Sequence, residues 1–393
     1  MTSQPDVVPT VYGSQTGLRK CSIDYRHIFR QILKHLWFQV LYRSGATAWA
    51  RWRLARHNGT IVVTLHRVLD DNRFRATSSP QGMIVRRNTF QRAIEYLSKT
   101  IELVSLEEGT HFTPGLRMAV TFDDGWIDNF DIAAPELLQR NIPMCIFLCS
   151  DMIGKMSPFW PEVANSIWSV AADSSSLEHF RLLLRHFGVM DNIDSQDAFL
   201  TLLKHLDSAD RTQILDALTH HFFPRQYDTD ATMTWKQIHI LRDKGITFGS
   251  HTAQHEILTH LSASMRNLEL SRSRNKLFEQ LGQQIDFFSY PNGDWNVACR
   301  ESVKENGYTA AFITSPGLWC SSTDPYSIPR INVSEGRLTG FTGTFSAATL
   351  NYFLFWLPYR ANQREKRAGR THRSSSYLIS AIGPNRSTEN RYE

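Results

Sequence analysis

A repeated order of segments constrains this chain most. A short apolar, often β-branched run comes first, then residues able to do chemistry, then a helical pattern. Residues 60–65 (TIVVTL) lead into His66, residues 118–122 into Asp123-Asp124-Gly125, residues 246–250 into His251, and residues 287–290 into Pro291-Asn292-Gly293. Such runs, bounded by turn residues, read as buried strands, and two more are expected at 144–148 and 309–314. Between them the apolar spacing is helical: 87–100, with Phe90, Ile94 and Leu97 on one face, then 130–140, 234–244 stopped by Gly245, about 265–281, and 299–306. Alternating strands and helices imply a parallel sheet with crossover helices. The C-terminal ends of parallel strands gather on one face, where sites form. Asp123/Asp124, His251/His255 and the Tyr290–Gly293 turn are therefore expected to meet.

The alternation pauses between about 157 and 230, where leucine-rich helical spacing (Leu182, Leu183, Phe187; Leu200, Leu203, Leu206) is broken by Asp/Ser clusters. This reads as a helical insertion in the α/β domain, with Phe159 and Trp160 at its entrance. The expected organisation is an N-terminal tail and basic amphipathic helix (1–57), a main domain (58–340), an aromatic and basic flank (341–373) and a disordered tail (374–393). At 393 residues the chain has room for a sizeable core. Its five scattered cysteines and lack of a Cys-x-x-Cys pair exclude a disulfide framework or zinc ribbon, and favour a reducing compartment.

Charge is unevenly spread. Residues 19–56 hold nine Lys/Arg against one acid, Asp24, and residues 360–373 hold six against one Glu; the span between them is net acidic. Between 26 and 42, apolar residues from Ile28 to Leu41 recur in adjacent pairs every four positions, with Arg26, Arg30 and Lys34 elsewhere on the helix. Such a helix, with Trp49 and Trp52 after it, suits an anionic membrane interface; the alternative is docking on the main domain with a solvated basic face. The run Phe353–Leu357 before Pro358 repeats the chemistry. No apolar run reaches spanning length, and the polar residues 1–18, followed by an apolar stretch that carries Arg30 and Lys34, do not read as a secretory signal. The expectation is a cytoplasmic protein, with peripheral attachment to the inner membrane face as one of the two readings of its flanks. Nucleic acid is not an expected partner, because the body is acidic and the basic flanks carry an apolar stripe.

His251 and His255, four residues apart, would sit side by side on one helical turn, a spacing that suits two ligands of one divalent ion. A solvated surface pair has the same spacing. A carboxylate would complete a His₂-carboxylate set with open positions, and Asp124 is placed to supply it. Asp123-Asp124-Gly125 equally suits a turn or helix cap. In a metal site, however, one carboxylate would bind while its neighbour takes a proton from water.

Thr121-Phe-Asp-Asp-Gly125, followed by His251-Thr-x-x-His255, resembles the polysaccharide deacetylase (NodB-homology, carbohydrate esterase) family. Leu65-His66-Arg67-Val68, Tyr290-Pro291-Asn292-Gly293 and Pro329-Arg330-Ile331-x-Val333 extend the likeness across about 60–335. The resemblance implies an α/β fold: a distorted, incomplete (β/α) barrel, here with a helical insertion and basic amphipathic flanks. It implies hydrolysis of the N-acetyl group of an amino sugar in a polysaccharide, glycolipid or lipid-linked glycan. Deformylation of a lipid-linked amino sugar, or a glycan-binding pseudoenzyme, are the alternatives. Carried over, Asp124, His251 and His255 become ligands of a divalent metal, zinc first and cobalt, nickel or manganese otherwise. Asp123 becomes the general base, and Tyr290, Pro291, Asn292 and Gly293 line the substrate and oxyanion site. Many members orient the base with an Arg in the third motif; here that segment reads Phe288-Ser289-Tyr290, and Arg330 is assigned the task. Many members keep the general acid in an L-x-x-His motif near the C-terminal end of the domain, which is not found here. The branch that deacetylates poly-N-acetylglucosamine uses a His after the first strand, the place His66 occupies, so the resemblance implies His66 as the general acid.

Overall fold

A computed structural model describes residues 25–156, 159–172, 176–189, 193–222 and 231–363. The expected C-terminal tail and most of the second basic run lie outside these residues. Among the described residues there are ten strands: β1 Gly59–Leu65, β2 Arg67–Leu69, β3 Ile84–Arg86, β4 Glu102–Val104, β5 Leu116–Asp124, β6 Cys145–Leu148, β7 Thr247–Ser250, β8 Phe287–Ser289, β9 Ala310–Ile313 and β10 Ile328–Asn332. Seven of them form a closed parallel ring, β1-β10-β9-β8-β7-β6-β5, because β5 also pairs with β1 from Gly59↔Leu116 to Leu65↔Phe122. Strand β4 extends β5 outside the ring, and β2 pairs with β3 as a separate two-stranded sheet. The fold is thus a (β/α) barrel of seven strands.

Strand alternation sorts the interior into layers. Val62, Ala119, Phe147, Phe312 and Ile328 fill the lower part, closed underneath by Trp319. Two residues further along three of these strands the inward positions turn polar: Ala119 is succeeded by Thr121 and Asp123, Ile328 by Arg330, Phe287 by Ser289. A charged layer therefore rests on an apolar floor at the C-terminal ends of the strands. Gly249 makes this floor fit. A Cβ there would come within 2.5 Å of the Phe147 ring and 2.9 Å of the Phe287 carbonyl oxygen. The opposite strand faces, including Ile61, Val63, Leu65, Val120 and Phe122, pack under the surrounding helices.

The described residues of the insertion between β6 and β7 include the helices Trp160–Ala171, Leu177–His186, Gln196–His205 and Ser208–Phe222. They share a small core of their own around Phe180, Leu184, Phe199, Leu203 and Leu218. Hydrogen bonds tie it to the barrel, Ser79 donating to Glu162 (2.9 Å), Asn165 to the Ser78 carbonyl (2.9 Å) and Arg211 to Glu256 (3.0 Å).

The helices Tyr25–Arg43 and Ala46–Ala55 dock on the segment Ala347–Trp356. Phe38 stacks on Tyr352 at 4.1 Å between ring centres, and Leu54, Leu354 and Phe355 belong to the barrel's outer core. The run at 353–357, which repeats the chemistry of the N-terminal helix in the sequence, is thus packed on the domain. The helix is the platform on which the N-terminal pair rests, because Leu354 and Phe355 are fully buried.

Candidate active site

Asp123 is the last inward residue of β5. Arg330, reaching across the barrel mouth from β10, grips it with both arms: Nη1 donates to Oδ1 (2.8 Å) and Nη2 to Oδ2 (2.7 Å). Arg330 also donates to Ser289 Oγ (2.6 Å) and Thr121 Oγ1 (3.3 Å), and its guanidinium lies over the Phe147 ring. Both charged groups are buried, so the bidentate geometry and added partners must offset a large desolvation cost. Burial pushes the Asp123 carboxyl up, yet the Arg330 charge, helped by His251, holds it well below the usual carboxylate range. Asp123 is a carboxylate at neutral pH.

Asp124, the next residue, turns the other way at φ 74°. Its Oδ2 accepts from Trp126 Nε1 (3.0 Å), which aims Oδ1 at His251 Nε2 (3.5 Å) and His255 Nε2 (3.4 Å). Oδ1 is buried and has no hydrogen-bond partner among the described residues. His251 Nδ1 donates to the Ser289 carbonyl (2.7 Å), which fixes the tautomer and leaves the Nε2 lone pair facing Asp124. Burial drives both imidazoles down to about 4, so both are neutral at pH 7. Two atoms bound at ~2.0–2.2 Å to one tetrahedral ion lie ~3.3–3.6 Å apart, which matches both observed separations. Neutral imidazoles and a carboxylate oxygen without another partner among the described residues fit a divalent cation with open positions.

The His pair departs from the expected helical turn. Residues 251–257 form an irregular loop, with Thr252 (φ 66°) and His255 (φ 63°) in the left-handed region. Buried Glu269 organises it, one carboxylate oxygen accepting from the backbone N–H groups of Ala253 and Gln254, both at 3.0 Å. Asn292 (φ 60°) completes a cluster: Asp124, Thr252, His255 and Asn292 are four of the seven non-glycine residues with positive φ among those described. Such conformations are costly and persist where surrounding structure enforces them.

His66, Asp123, His251, His255, Tyr290 and Asn292 border one hollow of about 250 Å³, small for a ligand site. Pro291 and Gly293 shape its rim rather than line it. A Cβ on Gly293 (φ 75°) would meet Thr314 at 2.7 Å. His66 is held through its carbonyl, which accepts from Asn129 (2.8 Å), while its buried Nδ1 has no partner among the described residues. Beneath it lies the buried Arg67–Asp128 pair (2.9 Å), with Arg67 over the Trp126 ring. The insertion supplies one wall, Trp160, Leu200 and Lys204, and Phe159 contacts the His255 ring edge-to-face.

Every sequence-assigned site residue is thus at the barrel mouth. Sequence reasoning missed Ser289, Trp126, Glu269, Asp128 and Lys204. Ser289 had a signal, lying two residues after inward Phe287, whereas Glu269 sits within a long helix without a local cue.

The sequence model for polysaccharide deacetylases matches residues 112–311. That span holds the Asp123/Asp124, His251/His255 and Tyr290–Gly293 motifs but neither His66 nor Arg330. YxkH of Bacillus subtilis (strain 168), which carries the same family name, is 29% identical over 159 residues, or 40% of this chain and 53% of that protein. The match therefore spans about half the length of that relative. The Streptococcus pyogenes deacetylase PplD, solved with acetate, aligns with a TM-score of 0.49 at 16% identity, covering 75% of this chain and 98% of that one. IcaB from Ammonifex degensii aligns with a TM-score of 0.47 at 18% identity, covering 71% and 93%. With half of its length matched by the family's sequence model, the chain belongs to the polysaccharide deacetylase family, hydrolases of the carbon–nitrogen bond of N-acetyl groups.

Proposed function

We propose that this protein removes the N-acetyl group from an amino sugar in a polysaccharide, glycolipid or lipid-linked glycan, with a divalent cation held by Asp124, His251 and His255. The reading rests on one juxtaposition: a ligand-competent Asp/His/His set beside a second carboxylate that Arg330 keeps out of it. A cation bound there supplies Lewis acidity and a water whose pKa falls toward ~7.

Asp123, kept ionised by Arg330, would take the proton of the attacking water. Its proton acceptance would draw on the Arg330 clamp, which fixes the carboxylate in place and prevents it from swinging toward the imidazoles. The Asn292 backbone N–H is our assignment for a donor to the oxyanion of the tetrahedral intermediate; one such donor contributes ~3–4 kcal/mol. His66, on the same hollow, would protonate the departing amine, since an amide anion is too poor a leaving group.

The basic, apolar N-terminal helices favour a substrate presented at an anionic membrane face. Among the described residues no helix is long and apolar enough to cross a membrane. The test is an assay of acetate and formate release by zinc-loaded protein from a panel of lipid-linked and polymeric acetamido and formamido sugars. Acetate release from at least one panel member is expected. Formate release alone would replace this reading with the deformylase, and glycan binding without release would leave a pseudoenzyme.

A further inference from the structure

Phe29, Leu33, Leu36, Trp37 and Val40 form one stripe along the helix Tyr25–Arg43, spaced by three and four residues. The helix docks through Phe38 and Leu41, both buried, and leaves that stripe outside. Trp49 and Trp52 on the next helix are likewise outside, and these seven side chains are 47–60% exposed. Arg53 stacks over Trp49 and Arg56 over Trp52, placing a cation against each indole. Phe341, also exposed, and Leu36 border an open hollow of about 500 Å³ between the helix and residues 340–348. A contiguous apolar face of this kind on a protein surface marks an interaction site.

We infer that the helices Tyr25–Arg43 and Ala46–Ala55 form a docking surface for an anionic lipid bilayer, entered by the apolar stripe and its tryptophans. Charge selects this occupant. Residues 25–57 carry seven Lys/Arg and no Asp or Glu. A second copy of the chain would bring the same seven charges to a symmetric contact, and the basic run at 360–373 would be repelled from it likewise. An anionic bilayer offers the opposite charge to the rim and a hydrocarbon boundary to the stripe, with indoles at the headgroup level. The surface lies apart from the catalytic hollow, so it does not depend on the hydrolase reading.

The experiment is co-sedimentation of the full chain with vesicles of phosphatidylcholine containing about 30 mol% phosphatidylglycerol, against pure phosphatidylcholine vesicles. Sedimentation velocity without lipid is run alongside. Binding to the anionic vesicles is expected, weakened by salt and with a blue-shifted tryptophan emission. The double variant Leu33→Glu/Val40→Glu should bind at least ~10-fold more weakly and keep the wild-type melting temperature and its rate on a soluble substrate, since both side chains are exposed. Equal binding by variant and wild type, no preference for anionic vesicles, or a wild-type dimer that the variant converts to a monomer would overturn the proposal. Vesicle binding is read without turnover, so failure of the deacetylase reading would show separately.

Discussion

Asp123→Asn is expected to leave the cation bound and to lower kcat by about 10²–10⁴-fold, with KM nearly unchanged. The substitution is close to isosteric, and Asn can still accept from one arm of Arg330, so the barrel mouth keeps its shape. The proposed ligand atoms are those of Asp124, His251 and His255, of which Asp124 is supported by Trp126 and His251 by the Ser289 carbonyl. Only the capacity to take a proton disappears. Acyl release and metal content measured on the same preparation check this. Near-native turnover with one cation bound would show that Asp123 is not the base.

Arg330→Met is expected to cost about 3–5 kcal/mol of stability, because it strands a buried carboxylate without its counter-charge. The guanidinium makes four hydrogen bonds, to both oxygens of Asp123, to Ser289 and to Thr121, so no single neighbour can replace it. The Asp123→Asn/Arg330→Met double variant should recover part of that loss, since a neutral amide tolerates burial better than an unpaired charge. Urea unfolding of the wild type, both single variants and the double variant measures the coupling. Additive losses, or an Arg330→Met midpoint equal to that of the wild type, would contradict a buried clamp.

The strand–helix alternation and the residues after each strand were readable because both are local. A β-branched run such as 60–65 declares itself, and the barrel then carries His66, Asp123 and His251 to one end. Arg330 was reachable through its motif, although β10 itself was not expected as a strand, since Pro329 interrupts its pattern. The His251–His255 spacing suggested a helix because four residues make one turn. The loop that carries them instead is enforced by Glu269 from a helix further along the chain, and a contact of that kind leaves no trace in local periodicity. The fate of the aromatic run at 353–357 was hidden for the same reason. Its composition matches that of the N-terminal helix, and only tertiary packing decides that one is covered and the other is not.

Metal content of the purified protein tests the central claim most directly: that Asp124, His251 and His255 together hold one divalent cation. After loading with zinc and removal of excess, elemental analysis should give one equivalent per wild-type chain, and far less for folded Asp124→Ala and His255→Ala variants. A wild-type protein that retains no zinc, or folded variants that retain a full equivalent, would contradict the site.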